Sequence, residues 1–266
     1  QDDTVKIKNL VALAFKYIHK DIARVKKINE QIFNLSKKLN YPQGLADHYY
    51  ISSYIKTTEK QNEDAFFFLD KAMQIADSLN DEKRMAKYYK LYGINMRDLG
   101  LTGSAMDYFN RSIEFYKKSK NYLELSKVYN SIGILYKKAS ELDSAAYYYL
   151  KSIRICDSIN EIINGAYAKL NLGKVLMELE EYVRAEEYFN ECRAIFSETG
   201  NTRMEGLAYG NLGILYAEQQ KYDTALYIYE LARDNYEKLN QPVSMANLEN
   251  NIGTAYEELG DYDKAL

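Results

Sequence analysis

Tryptophan is absent from the 266 residues, and proline, cysteine and histidine occur only twice each. The two cysteines, Cys156 and Cys192, are too few for a disulfide framework and have no His or Cys companion at metal-ligand spacing. His19 and His48 supply neither a catalytic triad nor a zinc set, and there is no glycine-rich phosphate loop. The chain is therefore expected to be no enzyme and to need no cofactor or metal. No run approaches the ~20 apolar residues that span a bilayer, and no signal-like apolar core precedes the first predicted helix. A strong charge of one sign is also missing. The 35 basic and 38 acidic side chains leave a formal charge of −3, which gives no field for nucleic acid or an anionic membrane. What is present, 47% hydrophobic and 27% charged residues with few breakers, is the composition of a folded, soluble chain.

The chain repeats itself every 40 residues. Glycines stand at Gly93, Gly133, Gly173, Gly213 and Gly253, with Ser53 one period earlier. An alanine follows at the same offset each time, from Ala65, Ala105 and Ala145 to Ala185, Ala225 and Ala265. A third small column runs Ala72, Ser112, Ser152, Cys192, Ala232, and a large apolar column runs Leu69, Phe109, Tyr149, Phe189, Tyr229. A glycine inside a helix costs about 1 kcal/mol relative to alanine, so a column of them implies close helix contact in return. The small columns mark where two helices cross, and the large column fills the space beside the crossing. Residues 40, 80, 120, 160, 200 and 240 are Asn, Asn, Lys, Asn, Gly and Asn, types suited to the left-handed end of a helix. Pro42 and Pro242 lie just after such stops. Asp143, Asp223 and Asp263 are placed to cap second helices.

Each period thus reads as one antiparallel helical hairpin. The predicted fold is all-α, a right-handed superhelical solenoid forming one domain over 1–266. A degenerate first hairpin (1–40, with Val25 in the alanine column) precedes hairpins 41–80, 81–120, 121–160, 161–200 and 201–240 and an incomplete seventh, 241–266. An array normally ends on a polar cap, so the break at Leu266 and the start at Gln1 suggest a piece of a longer polypeptide.

Tyr209, Leu212, Gly213, Tyr216, Ala225 and Tyr229 occur in the order of the tetratricopeptide repeat signature. Tyr129, Ile132, Gly133, Tyr136, Ala145 and Tyr149 repeat it. The chain resembles that family over residues 45–266, with six residues more per repeat than the usual 34. The resemblance implies binding of a peptide or protein on a concave face made by the first helices. An asparagine two residues before the glycine, as at Asn171, Asn211 and Asn251, resembles the ladder with which relatives grip a peptide backbone. A carboxamide both donates and accepts, which suits a peptide bond. Asn130, Lys90, Lys127 and Tyr167 complete the candidate peptide-binding set. Cationic side chains early in the array and Glu178, Glu218, Glu257 and Glu258 later suggest a ligand oriented by charge. The Tyr-, Asn- and Lys-rich long repeats loosely resemble the extracytoplasmic regions of Bacteroides-group signalling proteins. On that footing the chain is expected to be the extracytoplasmic sensor or interaction region of a longer bacterial signalling protein. A passive scaffold and a cytoplasmic quorum-peptide receptor are the alternatives.

Overall fold

A computed structural model describes residues 3–18 and 20–265; Gln1, Asp2, His19 and Leu266 lie outside the described residues. Fourteen helices are described: α1 (Asp3–Tyr17), α2 (Ile22–Lys38), α3 (Pro42–Thr58), α4 (Asn62–Ser78), α5 (Glu82–Asp98), α6 (Thr102–Lys118), α7 (Tyr122–Lys138), α8 (Leu142–Ser158), α9 (Ile162–Glu178), α10 (Tyr182–Glu198), α11 (Thr202–Glu218), α12 (Tyr222–Lys238), α13 (Pro242–Glu258) and α14 (Tyr262–Ala265). No β-strand occurs among the described residues. Two compact units are present, Gln1–Asn121 with α1–α6 and Tyr122–Leu266 with α7–α14.

The spacing of the turns is 20 residues, half the sequence period. Asn40, Lys60, Asn80, Lys120, Ser140, Asn160, Glu180, Gln220 and Asn240 all have positive φ, as do Gly100, Gly200 and Gly260. Each stop is a Schellman motif, in which two amides past the helix close back on its last carbonyls. After α9, for example, Glu181 N donates to Leu176 O at 2.8 Å and Glu180 N to Met177 O at 2.9 Å. Identical stops at equal intervals give α2–α13 the same length, 17 residues.

Within a hairpin the helix crossing is a glycine against a ring. A Cβ on Gly93 would meet Phe109 Cδ1 at 2.6 Å, one on Gly133 would meet Tyr149 Cδ1 at 2.6 Å, and one on Gly173 would meet Phe189 Cε1 at 2.6 Å. The large column therefore covers the glycines instead of lying beside them, because a planar ring stacks on a bare helix backbone. The alanine column, Ala65 to Ala225, is fully buried in the same interface, and Val25 is buried at its place in the first hairpin. Ser112 and Ser152 donate from α6 and α8 to Ala86 O and Ser126 O, at 2.8 and 2.9 Å. Cys192 is buried in the same column, its Sγ directed at Phe189 O at 3.2 Å, and burial pushes its thiol pKa up to about 12.

The expected caps are corrected. Asp143 and Asp223 lie inside the first turns of α8 and α12, whose N-caps are Glu141 and Lys221 and make no side-chain cap bond. Asp263 is likewise in the first turn of α14. There the carboxylates face the positive end of the helix dipole. The aspartates that do cap are Asp21, accepting from Arg24 N at 2.9 Å, and Asp81, accepting from Arg84 N at 3.0 Å.

Candidate binding wall

Two helices of unequal spacing build each unit's surface. In the second unit the backbones of α7 and α9, of α9 and α11 and of α11 and α13 approach within 8 Å, whereas those of α8, α10 and α12 do not approach one another that closely. The first helices are close enough to make a continuous wall, and the second helices are splayed on the opposite side. In the first unit α1, α3 and α5 are arranged the same way.

The glycine crossing turns one face of each first helix towards its own hairpin, and this leaves a stripe of residues on the wall. Asn171 on α9 is half-buried there, and its Nδ2 donates across the hairpin boundary to Oδ1 of Asn130 on α7 at 3.1 Å. Ser131, which holds the exact ladder register on α7, donates to Lys127 O at 2.9 Å. Asn130, one residue away, thus supplies the carboxamide that meets Asn171. Lys127 is half-buried and pairs with Glu124 on its own helix at 2.9 Å.

The other sequence candidates separate. Asn211 is 6% exposed, with Nδ2 donating to Leu207 O at 2.8 Å, so it turns into its own helix. Asn251 is half-buried and lines a groove of about 280 Å³ between α11 and α13, together with Ile214, Glu218, Tyr222, Thr254 and Glu258. Tyr167 is directed to the corner of α10 and α11: its ring is 5.4 Å from that of Phe196, and its hydroxyl accepts from Asn201 Nδ2 at 3.3 Å. Lys90 is half-buried on α5, in the first unit.

Charge on the second unit's wall is partly paired. Lys137 on α7 reaches Glu178 on α9 at 2.5 Å. Burial, then the neighbouring Glu178, raises the pKa of Glu218 above the usual carboxylate value. Lys174, which sequence reasoning passed over, is half-buried on α9 between Asn171 and Glu178, and burial followed by the nearby Lys137 lowers its pKa. Its register is shared by Ile134, Ile214 and Thr254, so a lysine there breaks a mostly apolar column. That departure was the available signal. No helix among the described residues is long and apolar enough to cross a membrane.

The sequence profile of the tetratricopeptide repeat family matches residues 166–238. No curated protein matches the chain in sequence. Solved structures are similar in fold. RapI in its apo form shares 15% identity at a TM-score of 0.71, over 97% of this chain and 83% of that one. The Rap conjugation gene regulator of plasmid pLS20, in complex with the Phr* peptide, shares 15% identity at a TM-score of 0.65, over 97% and 85%. A signal transduction ATPase with numerous domains and a tetratricopeptide repeat sensor, from Pyrococcus horikoshii, shares 15% identity at a TM-score of 0.74, over 96% of this chain and 40% of that one.

Proposed function

We propose that this chain of tetratricopeptide repeats binds an extended peptide, or a peptide-like segment of a partner protein, along the wall of α7, α9, α11 and α13. The observation that carries the reading is the Asn130–Asn171 bond across two hairpins. It sets two carboxamides side by side on the wall, where each is able to exchange its partner for a peptide N–H or C=O at little net cost, since one hydrogen bond replaces another. The groove at Asn251 extends the same stripe two hairpins further. Lys174 offers an ammonium to a ligand carboxylate, and Glu218 and Glu258 accept basic groups, so a ligand with its acidic end towards α7 fits the charge order. The fold shared with a regulator solved with a bound peptide supports a peptide over a small metabolite.

The wider reading is that the array is the sensor or interaction region of a longer bacterial signalling protein, extracytoplasmic in placement. Its support is the resemblance to Bacteroides-group repeat regions and the occurrence of such repeats as a sensor in the Pyrococcus ATPase. A peptide display library screened against the purified chain tests the binding claim. An enriched consensus that is lost when Asn130, Asn171 and Asn251 are all changed to Ala supports it. Enrichment indifferent to those changes, or none, overturns it. Asn211 is left intact in this variant because it is buried.

A further inference from the structure

At one junction the first unit departs from its own repeat in three core columns at once. One period before Leu69 in the column Leu69, Phe109, Tyr149, Phe189, Tyr229 stands Asn29; one period before Tyr88 in the column Tyr88, Val128, Ala168, Ala208, Leu248 stands His48; one period before Tyr92 in the column Tyr92, Ile132, Leu172, Leu212, Ile252 stands Ser52. All fifteen later residues are buried. Three apolar core positions are thus polar together, where α2 meets α3. Local rules broken without a packing gain are characteristic of functional sites.

The three side chains line a groove of about 290 Å³ over α2, α3 and α4, flanked by Phe33 and Phe68. This volume is at the lower end of small-ligand sites, ~300 Å³. The backbones of α2 and α4 stay more than 8 Å apart beneath it. Its polar groups have fixed roles. Ser52 Oγ donates to His48 O at 2.9 Å and receives Asn29 Nδ2 at 2.8 Å. That order orients the carboxamide and leaves Asn29 Oδ1 without a hydrogen-bond partner, although Asn29 is only 4% exposed. The second acceptor is on His48. Its Nδ1 lies 3.1 Å from Asn29 O, and a carbonyl only accepts, so Nδ1 carries the proton and the neutral ring keeps a lone pair on Nε2. Burial lowers the His48 pKa, which keeps the ring neutral.

Asn29 Oδ1 is shielded from solvent, so His48 Nε2 is the acceptor that calls for a donor. The rings of Phe33 and His48 are 4.7 Å apart, and His48 continues through Tyr49 to Phe68 at 5.1 and 6.3 Å, so the walls are aromatic. Lys26 and Lys56 at the rim, paired with Glu59 at 2.6 and 3.7 Å, disfavour a cation. Glu30 and the inward acceptors disfavour an anion. We propose that this groove binds a small neutral aromatic molecule with a single N–H or O–H donor, of the indole or phenol class, its ring held by Phe33 and Phe68 and its donor on His48 Nε2.

The lack of tryptophan in the chain makes free indole a clean probe, excited beyond tyrosine absorption while the full chain is titrated in. A saturable blue shift is expected. 1-Methylindole, with no donor, is expected to bind about tenfold more weakly. His48→Leu gives the position the residue type of Leu248 in the same column, so it should keep the cooperative helical unfolding and bind indole at least about tenfold more weakly. Phe68→Ala, at a half-exposed position, should weaken binding similarly with the fold intact. Absence of a saturable change, equal affinity for 1-methylindole, or unchanged affinity in both variants overturns the proposal. So does binding of a tryptophan in a capped peptide where free indole does not bind, which would make the groove a protein-docking surface.

Discussion

The ring of Phe189 lies on the bare Cα of Gly173, so closely that a Cβ there would stand 2.6 Å from its Cε1. In hairpin 41–80 the same two positions are Ser53 and Leu69, both fully buried. A side chain on the first helix is therefore accompanied by a smaller one on the second, and the volume of the crossing is conserved. Gly173→Ser is expected to lower stability by about 1–3 kcal/mol through overpacking. Phe189→Leu alone should cost roughly 1–2 kcal/mol through the void it leaves. The double variant, read by chemical denaturation, should be more stable than the sum of the two by at least about 0.5 kcal/mol. Strict additivity would contradict the pairing.

Turn residues can be exchanged on backbone grounds alone. Glu180 has φ 59°, a region that costs an L-residue roughly 1–2 kcal/mol and a glycine almost nothing. Glu180→Gly should raise the melting temperature, the gain reduced to about 0.5–1 kcal/mol by the looser unfolded chain. Gly200, at φ 67° with no atom within 4 Å of a Cβ, gives the converse: Gly200→Ala should lower stability by about 1 kcal/mol.

A cation on the second helix covers a ring on the first in three hairpins. Lys71 lies over Tyr49 at 5.5 Å, Arg111 over Tyr89 at 5.5 Å and Lys151 over Tyr129 at 5.4 Å. At the same register in hairpin 161–200 the residues are Lys169 and Glu191, an ion pair at 2.7 Å. Glu191→Lys should therefore destabilise by up to about 1 kcal/mol through like-charge repulsion. Adding Lys169→Tyr should restore the loss, as a cation–π pair replaces the ion pair. Thermal unfolding of the three variants decides it; a double variant no better than Glu191→Lys would show that the two positions are not interchangeable.

His48 makes stability depend on pH. Its folded pKa is below the ordinary value near 6.5 because burial disfavours the imidazolium. The unfolded chain then binds the proton first as pH falls, so the stabilisation is complete above about 6.5 and is lost on acidification through the lowered value. Denaturation at pH 7 and pH 5 should show a smaller loss for His48→Gln than for the parent chain. Equal losses would place the titration elsewhere.

The repeat, its hairpins and the packing role of the small columns were legible in the sequence because each recurs in register, and packing against a like neighbour selects like residues. The intrahairpin stops at Lys60, Ser140, Glu180 and Gln220 were not, since their side chains point to solvent and a Schellman stop accepts many residue types at a modest cost. The asparagines illustrate the same division. Sequence by itself determined that Asn171, Asn211 and Asn251 share a helix register, a property of spacing alone. Tertiary structure decided that Asn211 turns inward to Leu207 O while Asn171 meets Asn130, because a carboxamide takes the partner that packing brings within 3 Å or so. Asn29, His48 and Ser52 could be read one by one as departures from three apolar columns. Only the docking of α2 on α3 joins them into one groove, since no local pattern relates residues on helices from different hairpins.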